Sequence, residues 1–293
     1  MYGLIDIHTH GGGGFDFNSA RHEEIGRILD FYKANGVSGV LATIMTDEPA
    51  VMLRQLRRIA KVAAERKEIL GVHLEGPFLS SEKAGVMPKE FLRAPNLRFF
   101  DECQEAAGGI IKMITVAPEL YGGIAFIKEM TKRKIVVSLG HSNADYATAM
   151  EGVKAGASCF THLFNAMRPL SHRETGIVGA ALLSNCYVEI ICDGVHLSPE
   201  TVRLISKIKD KEKIILVTDS VAGAGMGDGE FAIGNQNIIL KNGRITLCGS
   251  DTLAGSALTA AQAVKNFAEF TGHSESDAQN CMTKNPKKLL NIN

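Results

Sequence analysis

Residues 3–14 read GLIDIHTHGGGG, an apolar string interrupted by Asp6 and closed by His8, His10 and four glycines. A short apolar run bounded by glycine suits a buried strand. Side chains alternate along a strand, so His8 and His10 project to the same side where the strand ends. Seven more runs of this kind follow, at residues 37–43, 69–75, 110–116, 135–139, 158–162, 187–192 and 214–218. Several are nearly continuous hydrophobic strings, as expected of parallel strands covered on both faces. Helical patterns lie between them at residues 20–34, 49–67, 122–132, 145–154 and 199–207. Pro49 after Asp47 and Pro199 after Ser198 read as first-turn prolines behind capping residues, and Gly156 reads as a C-terminal cap before the sixth run. Eight strand–helix units predict an α/β fold, a (β/α)8 TIM barrel rather than a doubly wound open sheet.

The span 1–293 reads as one barrel domain. An insertion at about residues 231–248 follows the eighth run, and Asn242-Gly243 at its centre signals a β-hairpin. A helix is predicted at residues 257–271, with Leu258, Ala261, Val264 and Phe267 at helical spacing. A last helix begins at Ser274, with Asp277 three residues on.

The chain has 293 residues, 45% of them hydrophobic, enough to bury a large core. Lys plus Arg and Asp plus Glu are both 32, a balance that offers no electrostatic footprint for nucleic acid or a membrane surface. The six cysteines form no Cys-x-x-Cys pair and several sit in apolar runs, which argues against a disulfide framework or a cysteine zinc site. The opening residues show no basic region followed by a long apolar stretch, and no apolar run is long enough to cross a bilayer. The expectation is a soluble, cytoplasmic protein.

The polar residues concentrate at the ends of the predicted strands. The first run ends in His8 and His10, the third in His73 and Glu75, the fifth in His141, the sixth in His162 and the eighth in Asp219. Each alone has an ordinary explanation, a satisfied polar residue near a loop or a helix cap. Barrel enzymes, however, carry their chemistry at the C-terminal ends of strands. His8, His10, His141 and His162 converging there with Glu75 and Asp219 resemble a ligand shell. Imidazole and carboxylate donors suit zinc, iron or manganese without a thiolate.

These stretches resemble the amidohydrolase superfamily, and within it the family of N-acetylglucosamine-6-phosphate deacetylases. The stretches that carry the resemblance are GLIDIHTHGGGG (3–14), GVHLEGPFL (71–79), LGHSNAD (139–145), THLFNAM (161–167), DGVHLSPE (193–200), LVTDSVAGAG (216–225) and LAGSALT (253–259). They occur in family order and span nearly the whole chain. Adenine deaminases and dihydroorotases share the superfamily logic but lack this combination.

The resemblance implies metal-dependent hydrolysis of the acetamide of a sugar phosphate. Glu75, His141 and His162 would hold the main divalent metal (zinc, iron or manganese, one or two per chain), with His8 and His10 completing a second site. Asp219 would be the general base. Asn165 and Ala166 would meet the phosphate, Arg173 would pair with it from the partner subunit of a homodimer, and His196 would contact substrate. Gly11–Gly14 lacks the lysine of a phosphate loop and reads as a flexible turn that lets backbone approach metal or sugar.

Two departures from the family pattern stand out. Met87 occupies the place where relatives carry a histidine that contacts the acetyl carbonyl. The flanking strands that build a small β-sandwich in relatives have no counterpart here, so the expectation is a barrel lacking that sandwich, with bared apolar surface and a tendency to self-associate. Two other functions remain open, an amidohydrolase acting on another N-acyl sugar or cyclic amide, and an inactive barrel that senses a sugar phosphate.

Overall fold

Eight parallel strands run in sequence order around a barrel: β1 (Leu4–Thr9), β2 (Val37–Met45), β3 (Ile69–Glu75), β4 (Ile111–Val116), β5 (Val136–Leu139), β6 (Cys159–Phe160), β7 (Tyr187–Ile191) and β8 (Ile214–Val217). The computed structural model describes residues 3–292; Met1, Tyr2 and Asn293, which the span 1–293 includes, lie outside them. Every residue of β1 and β8 is buried. Helices cover the outer face and the packed barrel interior covers the inner one, which is why these runs are apolar throughout.

Ten α-helices occur among the described residues: α1 (His22–Ala34), α2 (Pro49–Glu65), α3 (Leu97–Ala106), α4 (Gly123–Lys132), α5 (Tyr146–Lys154), α6 (Gly176–Leu183), α7 (Pro199–Ile208), α8 (Ala260–Thr271), α9 (Glu275–Asn280), capped by Ser274 as expected, and α10 (Lys284–Leu290). In α2 the buried face is Met52, Gln55, Leu56, Ile59 and Val62, the stripe that a 3.6-residue period gives. Truncating Leu56 in that stripe to alanine would cost about 2–5 kcal/mol. Helices α3 and α6 were not among the predicted patterns. In α6 every residue from Gly176 to Leu182 is buried, so it has no polar face to reveal its period.

Some helix starts differ from the sequence expectation. The cap position of α2 is Glu48, and Asp47 instead accepts the Glu48 N–H at 2.7 Å. Ser198 caps α7 as expected, accepting from Thr201 N–H. Helix α8 begins three residues late because Thr259, whose hydroxyl accepts from Gln262 N–H, is its cap.

The insertion is larger than one hairpin. Strands β9 (Gly229–Ile233), β10 (Gln236–Lys241) and β11 (Arg244–Leu247) form an antiparallel meander. Asn242 and Gly243 join β10 to β11 at positive φ, as a two-residue type I′ turn requires. Alternate residues Ile238 and Leu240, with Ile233 and Ile245, pack on Met45, Leu79, Met87 and Val221. This second apolar cluster fixes the meander over one rim of the barrel mouth. The Gly234 N–H also donates to Asp16 at 2.7 Å.

The seam between β1 and β8 carries no regular ladder. It is closed by Asp219 N–H donating to His8 carbonyl oxygen at 3.0 Å and by His10 N–H donating to Ser220 at 2.9 Å. Below them the buried Asp6 carboxylate accepts the Thr218 hydroxyl at 2.6 Å. Burial pushes the Asp6 carboxyl up to about 7, against the hydrogen bonds from Thr218 and His8.

Candidate metal centre

Strand ends deliver the polar residues to one point. The carboxylate of Glu75 lies at the middle: Oε1 is 3.0 Å from Nε2 of both His141 and His162 and 3.4 Å from Nε2 of His8, and Oε2 is 3.2 Å from Nε2 of His10. Asp219 Oδ1 lies 3.2 Å from His10 and 3.6 Å from His8. Glu75 thus belongs to two candidate metal-holding groups, one with His141 and His162 and one with His8 and His10.

The backbone bends to achieve this. His141, His162 and Asp219 have φ values of 46°, 25° and 48°, in the left-handed region that non-glycine residues avoid. Each costs on the order of 1–3 kcal/mol and persists only where the surrounding structure enforces it, a pattern concentrated at functional sites. The enforcement is visible. His141 carbonyl oxygen accepts from Ser80 N–H, and Ser256 N–H donates to Asp219 carbonyl oxygen at 2.8 Å.

The donor chemistry fits a divalent cation. His141 Nδ1 donates to the Lys83 carbonyl at 2.8 Å, so in the neutral ring Nε2 presents a lone pair. That lone pair faces the Glu75 oxygen and, at 3.1 Å, His162 Nε2. Acceptors crowd together there, and only a shared proton or a cation relieves them. His8 Nε2 likewise has no hydrogen bond among the described residues.

The charges answer to one another. Burial disfavours ionised Glu75, but His8 and His141 outweigh it and hold the carboxyl well below its ordinary range. Burial would lower His8, yet Glu75, Glu189 and Asp219 push it well above. His10 rises to about 9, because bonds from Asp219 and Glu75 overcome the cost of burial.

A cleft of about 270 Å³ opens over this centre. Of the expected site residues, His10, Glu75, His141, His162, Asn165, Ala166, His196 and Asp219 line it. His8 sits beneath, wholly buried. Arg173 is not among the lining residues; it stands exposed on the loop before α6. Met45, Met87, Ile233 and Leu253 give the cleft an apolar wall. His196 Nδ1 donates to Asp193 at 2.7 Å, while Asp193 Oδ1 accepts two backbone N–H groups.

Two sequence readings need correction. The glycines after His10 do make a turn, at Gly13 and Gly14, but one anchored by hydrogen bonds. Gly11 and Gly12 pair with Phe15 and Asp16, and Gly13 and Gly14 donate to Ala224 and Ala222. A Cβ on Gly11 would strike the Phe15 carbonyl, so glycine is there for close packing. His73 is a core residue one layer down: its Nδ1 donates to Ile7 carbonyl oxygen and its Nε2 meets Thr115 Oγ1 at 2.8 Å. Burial, then the neighbouring His8, holds it neutral well below its ordinary pKa. Missed altogether was Glu189, a carboxylate inside the apolar run YVEII, which lies 2.9 Å from His8 Nδ1.

The sequence profile of the amidohydrolase family matches residues 1–293. The chain belongs to the amidohydrolase family. Among the relatives similar to this amidohydrolase chain is an N-acetylglucosamine-6-phosphate deacetylase of Bacillus subtilis, 39% identical over 99% of this chain and 75% of its own. The solved N-acetylglucosamine-6-phosphate deacetylase of Thermotoga maritima superposes with a TM-score of 0.92 at 38% identity, covering 99% of this chain and 78% of that one. A mutant deacetylase from Mycobacterium smegmatis, solved with N-acetyl-D-glucosamine-6-phosphate, gives 0.94 at 34% identity, covering 99% and 77%. This amidohydrolase chain therefore spans about three quarters of the relatives' length. Among its described residues no helix is long and apolar enough to cross a membrane.

Proposed function

We propose that this chain hydrolyses the acetamide of N-acetylglucosamine 6-phosphate, giving glucosamine 6-phosphate and acetate. The observation that carries the reading is the convergence of Glu75, His8, His10, His141 and His162 with Asp219 at the barrel mouth. The similarity to deacetylases of that name supplies the substrate.

In this reading Glu75, His141 and His162 would hold the main divalent ion, and His8 and His10 with Glu75 could hold a second. Zinc, iron and manganese all suit these donors. A bound ion would supply Lewis-acid chemistry there, lowering the pKa of water towards neutrality and polarising a carbonyl.

Asp219 acts as the base. Burial would raise its carboxyl, but His8 and His10 hold it at about 2, so it is ionised at neutral pH. It takes the proton from the attacking water as oxygen adds to the amide carbon. As the C–N bond breaks, Asp219 returns that proton to the departing nitrogen, leaving the amine and acetate.

Asn165 and Ala166 meet the phosphate from the cleft wall, and His196, its tautomer set by Asp193, contacts the sugar. Arg173 pairs with the phosphate of a partner subunit, which makes the working form a homodimer; its exposure supports that role, since a planar guanidinium grips two phosphate oxygens at once. The setting is cytoplasmic. Met87 lines the cleft but cannot donate a hydrogen bond, so it would give the acyl oxygen no polar contact.

The apolar wall around Met87 favours one alternative, a different N-acyl group on the same sugar. Acetate release from N-acetyl sugars with and without 6-phosphate, beside longer N-acyl analogues, separates the two. The expected result is turnover of N-acetylglucosamine 6-phosphate that chelation abolishes. Turnover of another acyl sugar in its place overturns the assignment.

A further inference from the structure

Glu189 has no part in that mechanism, yet it stands in the middle of β7 wholly buried. Its Oε2 accepts from His8 Nδ1 at 2.9 Å and from the backbone N–H of His162 at 3.2 Å. Its Oε1 has no hydrogen-bond partner among the described residues. A buried carboxylate so thinly compensated is costly unless positive charge lies close by. No lysine or arginine supplies it: among the described residues its ion-pair partner is His8. Nor is Glu189 itself placed to be a ligand. Glu189, His8 and His73 do converge as a third candidate group, but both ring nitrogens of His73 are engaged by Ile7 and Thr115.

We propose that Glu189 is the positioning residue that makes His8 a cation ligand. By accepting from Nδ1 it fixes the ring with its proton on the far side, leaving the Nε2 lone pair aimed at Glu75 Oε1 and Asp219 Oδ1, 3.4 and 3.6 Å away. The carboxylate also makes the ring a stronger donor, as carboxylates behind metal-binding histidines do. Its second bond, to the His162 amide, ties the two ligand sets together. The inference rests on the reading that a divalent ion binds at His8 and His10.

The test is a zinc titration of metal-free protein against a chelating dye, for wild type, Glu189→Gln, Glu189→Leu and His8→Ala. Wild type should bind two equivalents, one of which His8→Ala removes. Glu189→Leu should weaken that same equivalent by about 10–100-fold and leave the other nearly unchanged. Glu189→Gln keeps the shape and a weaker acceptor, so it should fall between; being isosteric, it carries the test alone should the leucine variant not fold. A purely structural role would weaken both equivalents together, and that result, or unchanged binding in Glu189→Gln and Glu189→Leu, overturns the proposal. A single wild-type equivalent indifferent to His8→Ala also overturns it while leaving the functional reading intact. No equivalent at all in wild type overturns the functional reading itself.

Discussion

Asp219 Oδ1 lies 3.2 Å from Nε2 of His10, joining the turn that leaves the last barrel strand to the end of the first. That contact keeps an ionised carboxylate beside the proposed cation, where a base is needed. Asp219→Asn preserves the shape but removes the base, so kcat should fall at least roughly a hundredfold. KM and metal content should stay near wild type. Steady-state kinetics with elemental analysis decides the matter, and near-normal turnover places the base elsewhere.

Glu75 belongs to both proposed ligand sets, whereas His141 and His162 belong only to one of these two and His8 and His10 only to the other. Glu75→Gln should therefore lose nearly all tightly held metal after dialysis. His10→Ala should keep the ion on His141 and His162. Equal metal retention by the two variants would contradict the shared arrangement.

Protons and metal compete for His10. In metal-free protein its pKa of about 9 exceeds the ordinary value of about 6.5. A histidine raised in this way adds stability that is full below about pH 6.5 and lost as pH rises through about 9. Metal-free protein should accordingly melt at a lower temperature at about pH 10 than near neutrality. Because ligation needs the neutral ring, metal affinity should climb with pH, by up to about tenfold per unit for each proton displaced. Calorimetry in buffers of different ionisation enthalpy counts those protons, and a count of zero near neutral pH refutes the linkage.

Arg173 stands exposed on the loop before α6. Arg173→Ala should raise KM for the phosphorylated sugar far more than for the unphosphorylated one, because the lost bond is charge-assisted. Mixing Arg173→Ala with Asp219→Asn protein should restore part of the activity if the arginine serves its partner. Equal losses on both sugars would make Arg173 a structural residue.

Much of this was legible in the sequence. The eight strands could be read because parallel strands buried on both faces are continuous apolar runs, and their polar ends named most of the residues that converge at the barrel mouth. Period alone could not find α6, whose residues are buried all round. The spacing of Phe99, Phe100, Cys103 and Ala106 behind the Asn96 cap did encode α3, but it follows a long loop that hid the pattern. A strand-end reading places His73 and Glu75 together, and only the packing sets His73 one layer deeper. Glu189 announced itself as a charge in an apolar run; its partner His8 lies 181 residues away. The left-handed backbone at His162 and Asp219 leaves no mark in residue type, since glycine would be the expected signal.

The unladdered seam between β1 and β8 has a consequence for how the protein comes into being on the ribosome. Glu75, His141 and His162 all come from the middle of the chain, so a nascent polypeptide can bring them together before β8 has been synthesised. The pairing of Asp219 with His8 and His10 must wait until the last strand emerges and docks against the first. At translation speeds of about 5–20 residues per second the interval is on the order of seconds. Until then the candidate ligand set lacks Asp219, the proposed base. If Asp219 is the base, hydrolysis can begin only once the last strand has closed on the first.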